Sequence, residues 1–323
     1  MKKIKPSKMA IYTIGNIILL LIVFSFCFFD SNNVQKKEQQ QTEELEYTKI
    51  RTQGYRIYAL EIPKYITFAG EEVPLEYFDV RESLDRELLV NTYWQSHTLL
   101  YLKRMSRYFP VIEKILKKHD VPDDFKYLAM VESDLKNVVS PSGATGIWQF
   151  MKGTAKDHKL TINREVDERY HLEKSTEAAC EYFKSAYELF GNWTLVAASF
   201  NAGRSKISRR LKEQDVDSYY DLKLNSETAR YVYRILAAKM IMQDPGNYGF
   251  YFRNIDLYPP LKAKEVKVNE SIDDLVKFAS HHNINYKILK IFNPWLRSNR
   301  LTVDQQPYRI KIPSEYFRNN VYE

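Results

Sequence analysis

Cysteine, glycine and proline are all scarce in this chain of 323 residues, which carries two, ten and twelve of them respectively. Two Cys cannot build a disulfide framework. So little Gly and Pro excludes a collagen-like or Gly/Pro-rich filament. The six histidines, His97, His119, His158, His171, His281 and His282, include no H-x-x-x-H or H-E-x-x-H pair, so no metal site is indicated. Neither a P-loop nor a dinucleotide glycine pattern appears, and no cofactor is expected. Cys180 falls on an apolar helical stretch and reads as a buried thiol rather than a nucleophile.

What the chain does have is aromatic and aliphatic mass. It is 44% hydrophobic and 14% aromatic with 28% charged residues, enough for a substantial core and about two domains. The formal net charge is +7, but Lys2, Lys3, Lys5 and Lys8 supply four of these charges before any acidic residue. Residues 30–323 then hold 44 basic against 41 acidic side chains, a nearly balanced +3. No basic stripe remains, and no nucleic-acid partner is expected.

One long apolar run exists. Ile11 to Phe29 contains no charge, and nineteen helical residues span roughly 28 Å, close to a bilayer's hydrocarbon thickness. The lysines before it predict a cytoplasmic N-terminus and an exported remainder. Residues 1–30 therefore read first as a membrane anchor, with a cleaved signal peptide or a lipidated Cys27 as rivals. Residues 31–53 form a polar Gln/Glu/Lys linker.

Residues 54–84 read as an extended lead-in, with a strand or extended segment over Tyr55 to Ile62 and a loop over Glu71 to Glu76. Helical periodicity begins near Ser83 or Leu84. Pro110 is expected in the first turn of a second helix, and Pro122 in that of a third, which carries Glu132 near its C-terminal end. Residues 146–156 predict a short helix. Ser175 is a candidate cap for the next, Trp193 to Phe200 forms another, and Glu227 to Met242 a long one. Pro259-Pro260 marks a boundary. Strands near 265–268 and 308–312 flank helices over 271–282 and 284–292, giving a β-α-α-β order. The fold class is mainly α: a helical domain over 85–245, a linker over 246–263, and a small β-α-α-β domain over 264–315.

Glu132 is the residue to single out. It precedes a loop, residues 140–146, rich in small and polar groups, followed by Ile147-Trp148-Gln149-Phe150-Met151. A carboxylic acid partly desolvated against apolar groups stays protonated near neutral pH and can donate to a leaving oxygen.

The stretches Glu132-Ser133, Gly143 to Met151, Ala197 to Gly203 and Glu227 to Val232 occur in an order that resembles the soluble lytic transglycosylase or goose-lysozyme-like domain. The branch resembled is that of membrane-bound lytic murein transglycosylase D. Arg164 to Tyr170 and Lys174 to Ala179 are also similar to family text. The resemblance implies a lysozyme-like fold and cleavage of the MurNAc-β-1,4-GlcNAc bond of peptidoglycan, leaving 1,6-anhydromuramic acid ends. It implies Glu132 as the single acid and base, and Ser133, Gln149, Met151, Asn201 and Tyr231 as substrate-binding residues. Phe200 departs from the common Tyr at its position. Residues 264–313 resemble a degenerate LysM peptidoglycan-binding module, which implies glycan contacts near Asn293 and Trp295. The expected partners are glycan strands and, through residues 1–30, the bacterial membrane, with the catalytic domain in the periplasm. A hydrolytic muramidase and a catalytically weak peptidoglycan-binding scaffold are the rival readings. The sequence carries no signal for oligomeric state.

Overall fold

The computed structural model describes residues 41–42, 45–49, 57–304 and 306–314. The expected anchor over 1–30 lies outside the described residues, as does most of the linker. The chain divides into two compact units. In the smaller, residues 41–42 and 45–49 are helical, and the Arg253 guanidinium lies 4.7 Å from the centre of the Tyr47 ring. The larger comprises 58–250 and 254–323 and carries every element described below.

It starts with a short hairpin, β1 (Thr67–Phe68) and β2 (Glu71–Glu72), where a loop was expected at Glu71. No strand forms over 57–62. The hairpin has a task that its sequence does not announce. The Glu71 carboxylate accepts from the backbone N–H groups of Trp193 and Thr194 at 2.5 and 2.9 Å, placing an anion on the exposed N–H groups that open a distant helix.

Helix α1 (Phe78–Tyr93) begins earlier than the periodicity near Ser83 suggests, because its buried stripe of Val80, Leu84 and Leu88 already starts at the fourth-residue spacing upstream. Trp94 separates it from α2 (Gln95–Lys118). Pro110 does not open a new helix but sits inside α2. Its ring is on the exposed side, where water can take the carbonyl left without an N–H partner, while Phe109, Ile112 and Leu116 stay buried on the other.

Helix α3 (Phe125–Ser133) is almost wholly buried. Asp124 just before it binds Lys239 at 2.7 Å and accepts the Ala69 N–H, so it ties the hairpin to the core. The expected 146–156 helix forms only from Lys152, as α4 (Lys152–Asp157). Helix α5 (Leu172–Phe190) starts three residues before Ser175, whose hydroxyl donates back to Leu172 inside the first turn. Helix α6 (Trp193–Ala202) is capped by Asn192, which accepts the Leu195 N–H at 2.8 Å. Helix α7 (Arg204–Gln214), strongly polar with Ile207 alone buried, went unread in the sequence for want of an apolar stripe. Helix α8 (Ser226–Gln243) runs through the core.

Aromatic rings knit these helices. Phe183 of α5 touches Phe125 of α3, Trp148 and Phe200 of α6 at centroid distances of 4.3, 5.7 and 5.1 Å. Past the Pro259-Pro260 boundary come β3 (Ala263–Val268), α9 (Leu275–His281), α10 (Tyr286–Phe292) and β4 (Tyr308–Pro313), the expected order. The strands pair antiparallel with Val266 opposite Ile310. Asp274 and Asn285 cap the helices, which is why each starts later than its apolar pattern.

Candidate active site

Helix α3 delivers Glu132 at its last turn, flanked by buried Val131 and Ser133. The helix stops there because Asp134 and Leu135 both take left-handed backbone, at φ 55° and 54°. Asp134 is held by the Tyr101 hydroxyl at 2.9 Å and Lys136 at 2.7 Å, with His97 at 3.6 Å. Burial works to raise its carboxyl, but these partners outweigh it and hold the group below the usual carboxylate range. Two residues apart, two carboxylates are thus driven in opposite directions.

Glu132 goes the other way. Burial dominates and raises its carboxyl to about 7, against the pull of the Tyr231 hydrogen bond and the Arg234 guanidinium and with a push from Glu227. The Tyr231 hydroxyl donates to Oε1 of Glu132. Tyr231 is itself buried, on α8, and burial beside that carboxyl drives its phenol well above the ordinary value. It therefore remains a donor through the whole working range of pH. The acid sits near neutrality with its geometry fixed by one strong partner.

A loop over 138–150 faces this acid's helix and is built without regular structure. The Ser133 hydroxyl donates to the Ile147 carbonyl at 2.7 Å, and Gly146 N–H donates to Val138 at 2.9 Å. Gly146 has φ 86°, and a Cβ there would lie 2.0 Å from the Arg169 carbonyl oxygen, so only glycine fits. Gln149, at φ 50°, turns its amide back to the Val138 and Gly146 carbonyls at 3.1 and 2.7 Å. Trp148 and Phe150 are buried in the aromatic core, with the Trp148 indole N–H donating to Thr176 at 2.9 Å. Met151 is exposed and precedes α4.

Asn201, at the end of α6, meets the start of α8. Its amide nitrogen donates to Glu227 at 3.1 Å and its carbonyl accepts from the Thr228 hydroxyl at 2.9 Å. Glu132 and Tyr231 therefore touch, Asn201 reaches the same helix through Glu227 and Thr228, and Ser133 and Gln149 act within the loop. Three participants escaped sequence reading: Glu227 and Arg234, which set the field at Glu132, and Arg169. The buried Arg169 guanidinium is neutralised by Asp167 and donates to the Gly143 and Phe150 carbonyls, both at 3.2 Å. Glu227 and Arg169 lay within the resembling stretches and Arg234 just beyond one, and all three, being charged, read as solvent-facing. Phe200 packs against Tyr182 and Phe150 as a core ring.

Both residues expected to contact glycan in the terminal module are buried. Asn293 is fully buried: its amide donates to the Leu289 and Lys311 carbonyls, and its oxygen accepts the Lys311 N–H. Trp295 is buried between the rings of His171 and Tyr308. Neither side chain is offered to a glycan.

Residues 109–222 match the transglycosylase SLT domain, and residues 264–316 match the soluble lytic transglycosylase C-terminal LysM-like domain. The chain is 26% identical over 258 residues to membrane-bound lytic murein transglycosylase D of Escherichia coli K12, covering 77% of this chain and 55% of that protein. The counterpart in Escherichia coli O6:H1 gives the same figures. The chain thus spans about half the length of the curated relatives it matches. The crystal structure of the 70 kDa soluble lytic transglycosylase of Escherichia coli aligns at a TM-score of 0.39 and 16% identity, over 70% of this chain and 47% of that one.

Proposed function

The chain carries a transglycosylase SLT domain followed by a LysM-like module, and from that premise we propose that it is a peptidoglycan lytic transglycosylase. It cleaves the β-1,4 bond between N-acetylmuramic acid and N-acetylglucosamine and leaves a 1,6-anhydromuramoyl end. One observation carries this reading: the Glu132 carboxyl, raised by burial to about 7 and bonded by Tyr231, suits one group for both acid and base work.

Protonated Glu132 donates to the glycosidic oxygen as the bond from that oxygen to C1 breaks. Positive charge grows at C1, where the substrate's own N-acetyl group supports it. The C6 hydroxyl oxygen then closes on C1, and its proton returns to the Glu132 carboxylate. No water is consumed and the acid is regenerated. Tyr231 holds Oε1, so proton loss and gain take place at a fixed carboxyl. Asn201, steadied by Glu227 and Thr228, is placed to orient a glycan oxygen or N-acetyl group, with Ser133, Gln149 and Met151 shaping the loop side.

The lysine-rich leader and the membrane-bound relatives support an envelope location, with the catalytic domain periplasmic and residues 1–30 as an inner-membrane anchor. The LysM-like match supports a glycan-binding module.

Digestion of purified peptidoglycan, with muropeptides resolved by mass, tests the reaction. Anhydro ends are one water lighter than hydrolytic ends. Reducing muramic ends alone would make the enzyme a hydrolytic muramidase. Glu227, a second carboxylate whose charge acts on Glu132, is the group that would serve that second reading. Undiminished cleavage by Glu132→Gln would remove the assignment altogether.

A further inference from the structure

The terminal module does not stand apart from the catalytic helices. Its hydrophobic core of Val268, Leu275, Leu289, Leu296, Leu301 and Ile310 is completed by Val166 and Tyr170, which lie about a hundred residues upstream. Backbone bonds stitch the same place: Asp167 N–H donates to Trp295 and Arg297 N–H to Glu165, at 2.9 and 2.7 Å. Glu165 clamps the outside. Its carboxylate accepts from the Arg300 guanidinium at 2.6 Å and the Thr302 N–H at 2.7 Å, and these bonds hold the carboxyl below its ordinary range. Arg297 covers the Tyr170 ring at 4.3 Å, and Lys311 of β4 pairs with Glu173 at the start of α5.

The segment that receives the module also grips the catalytic loop. Within 165–170, Glu165 and Val166 face the module, while Arg169 donates to Gly143 and Phe150 and its carbonyl presses on Gly146. Ile147 of that loop takes the hydroxyl of Ser133, the residue next to Glu132. Ile147 also lines a cavity of about 280 Å³ between the two parts, together with His171, Glu173, Trp295 and Lys311. A continuous path of contacts, exposed at the Arg297–Thr302 turn and buried from Val166 inward, thus runs from the module to the backbone beside the acid. No glycan is needed to explain it.

We propose that the LysM-like module is a positioning element of the catalytic centre, acting through the Glu165–Tyr170 segment on the loop that backs Glu132. Glu165 and Arg169 are positioning residues in this scheme: one docks the module, the other fixes the loop. The inference rests on Glu132 being the catalytic acid. It differs from a tethering role in where it acts. A tether raises local substrate concentration and changes KM on polymeric peptidoglycan. A positioning element changes kcat, even on a glycan too short to reach the module.

The test uses the full chain with Glu165→Ala and Arg300→Glu, which alter a surface clamp and leave the helical core intact. A third variant, Arg169→Lys, keeps charge but loses the planar fork. Two readouts are taken: turnover of a soluble muramoyl tetrasaccharide and amide exchange over 143–150. Faster loop exchange with kcat down about tenfold or more in Glu165→Ala, and unchanged exchange in α8, is the expected result. Arg169→Lys should give the same loop signature with the module's own amides still protected. Wild-type loop exchange and wild-type kcat in both clamp variants would overturn the proposal. Because amide exchange needs no turnover, loss of loop protection still reports coupling if Glu132→Gln proves active and the catalytic reading fails.

Discussion

Tyr231 donates its hydroxyl to Glu132 across 99 residues of sequence, tying the last turn of α3 to the first half of α8, where Arg234 also donates to the Val131 carbonyl at 3.3 Å. The phenol stabilises the charged carboxylate, so it opposes the burial that raises Glu132. Tyr231→Phe removes that opposition. A hydrogen bond to a charged group contributes about 1.5–3 kcal/mol, equivalent to about 1–2 pH units. The high-pH limb of kcat/KM, set by loss of the Glu132 proton, should therefore move upward by about that much. A pH–rate profile of the two proteins checks it, and a downward or absent shift contradicts the assignment.

The same burial couples Glu132 to folding. Its folded value of about 7 lies above the ordinary 4.5, so between these values the native state holds a proton that the unfolded chain has released. Stability from this group is fully present below about pH 4.5 and is lost as pH rises towards 7. The loss is on the order of 3 kcal/mol. Glu132→Gln should be inactive yet lack that part of the pH slope, as denaturant titrations at pH 5 and pH 8 would reveal.

At Gly146, the Arg169 carbonyl oxygen occupies the space of a side chain, whereas Gly143, with the same positive φ, has nothing within 4 Å of its missing Cβ. Gly143→Ala then carries only the backbone penalty of about 1–2 kcal/mol. Gly146→Ala adds a displacement of the Arg169 segment and should cost about 3 kcal/mol or more. Thermal melts of the two variants, side by side, separate strain from collision.

Glu132-Ser133, the Gly143–Met151 stretch, Asn201 and Tyr231 were legible as short stretches that resemble a known family, and folding brings Tyr231 onto Glu132. Their partners were less so. Glu227, Arg234, Arg169 and Glu165 are charged, and a charge in sequence reads as solvent-facing until folding supplies the group it meets. Pro110 shows the opposite failure. Its ring signals a helix start, but buried apolar residues on the other face carry α2 straight past it. Ser175 had the right chemistry for a cap and the wrong place, since His171 in extended backbone already begins the turn. Asn293 was read for its polarity, which the structure uses to join α10 to β4.

That last bond set yields its own expectation. Asn293→Ala leaves the Lys311 N–H and two carbonyls without their partner inside a buried site. The module should lose about 2–4 kcal/mol, with any fall in peptidoglycan sedimentation tracking unfolding rather than a lost sugar contact. Circular dichroism melts run beside the binding assay distinguish the two.

Lys239 offers a stability test remote from the acid. Its ammonium, buried on α8, binds Asp124 and the Thr67 carbonyl, each at 2.7 Å. Lys239→Met leaves Asp124 with the Ala69 N–H but no counter-charge, and should destabilise the fold by about 3 kcal/mol. Urea titration measures it, and a neutral result would mean that Glu71 and apolar packing hold the hairpin without this pair.

Val166 and Tyr170 belong to the core of a module whose final strand arrives only at 308–313. During synthesis the catalytic helices emerge first, with this apolar pair facing water until Leu296 and Arg297 arrive to cover it. The order of translation thus leaves a sticky patch on an otherwise finished helical body, and the module made last is what hides it.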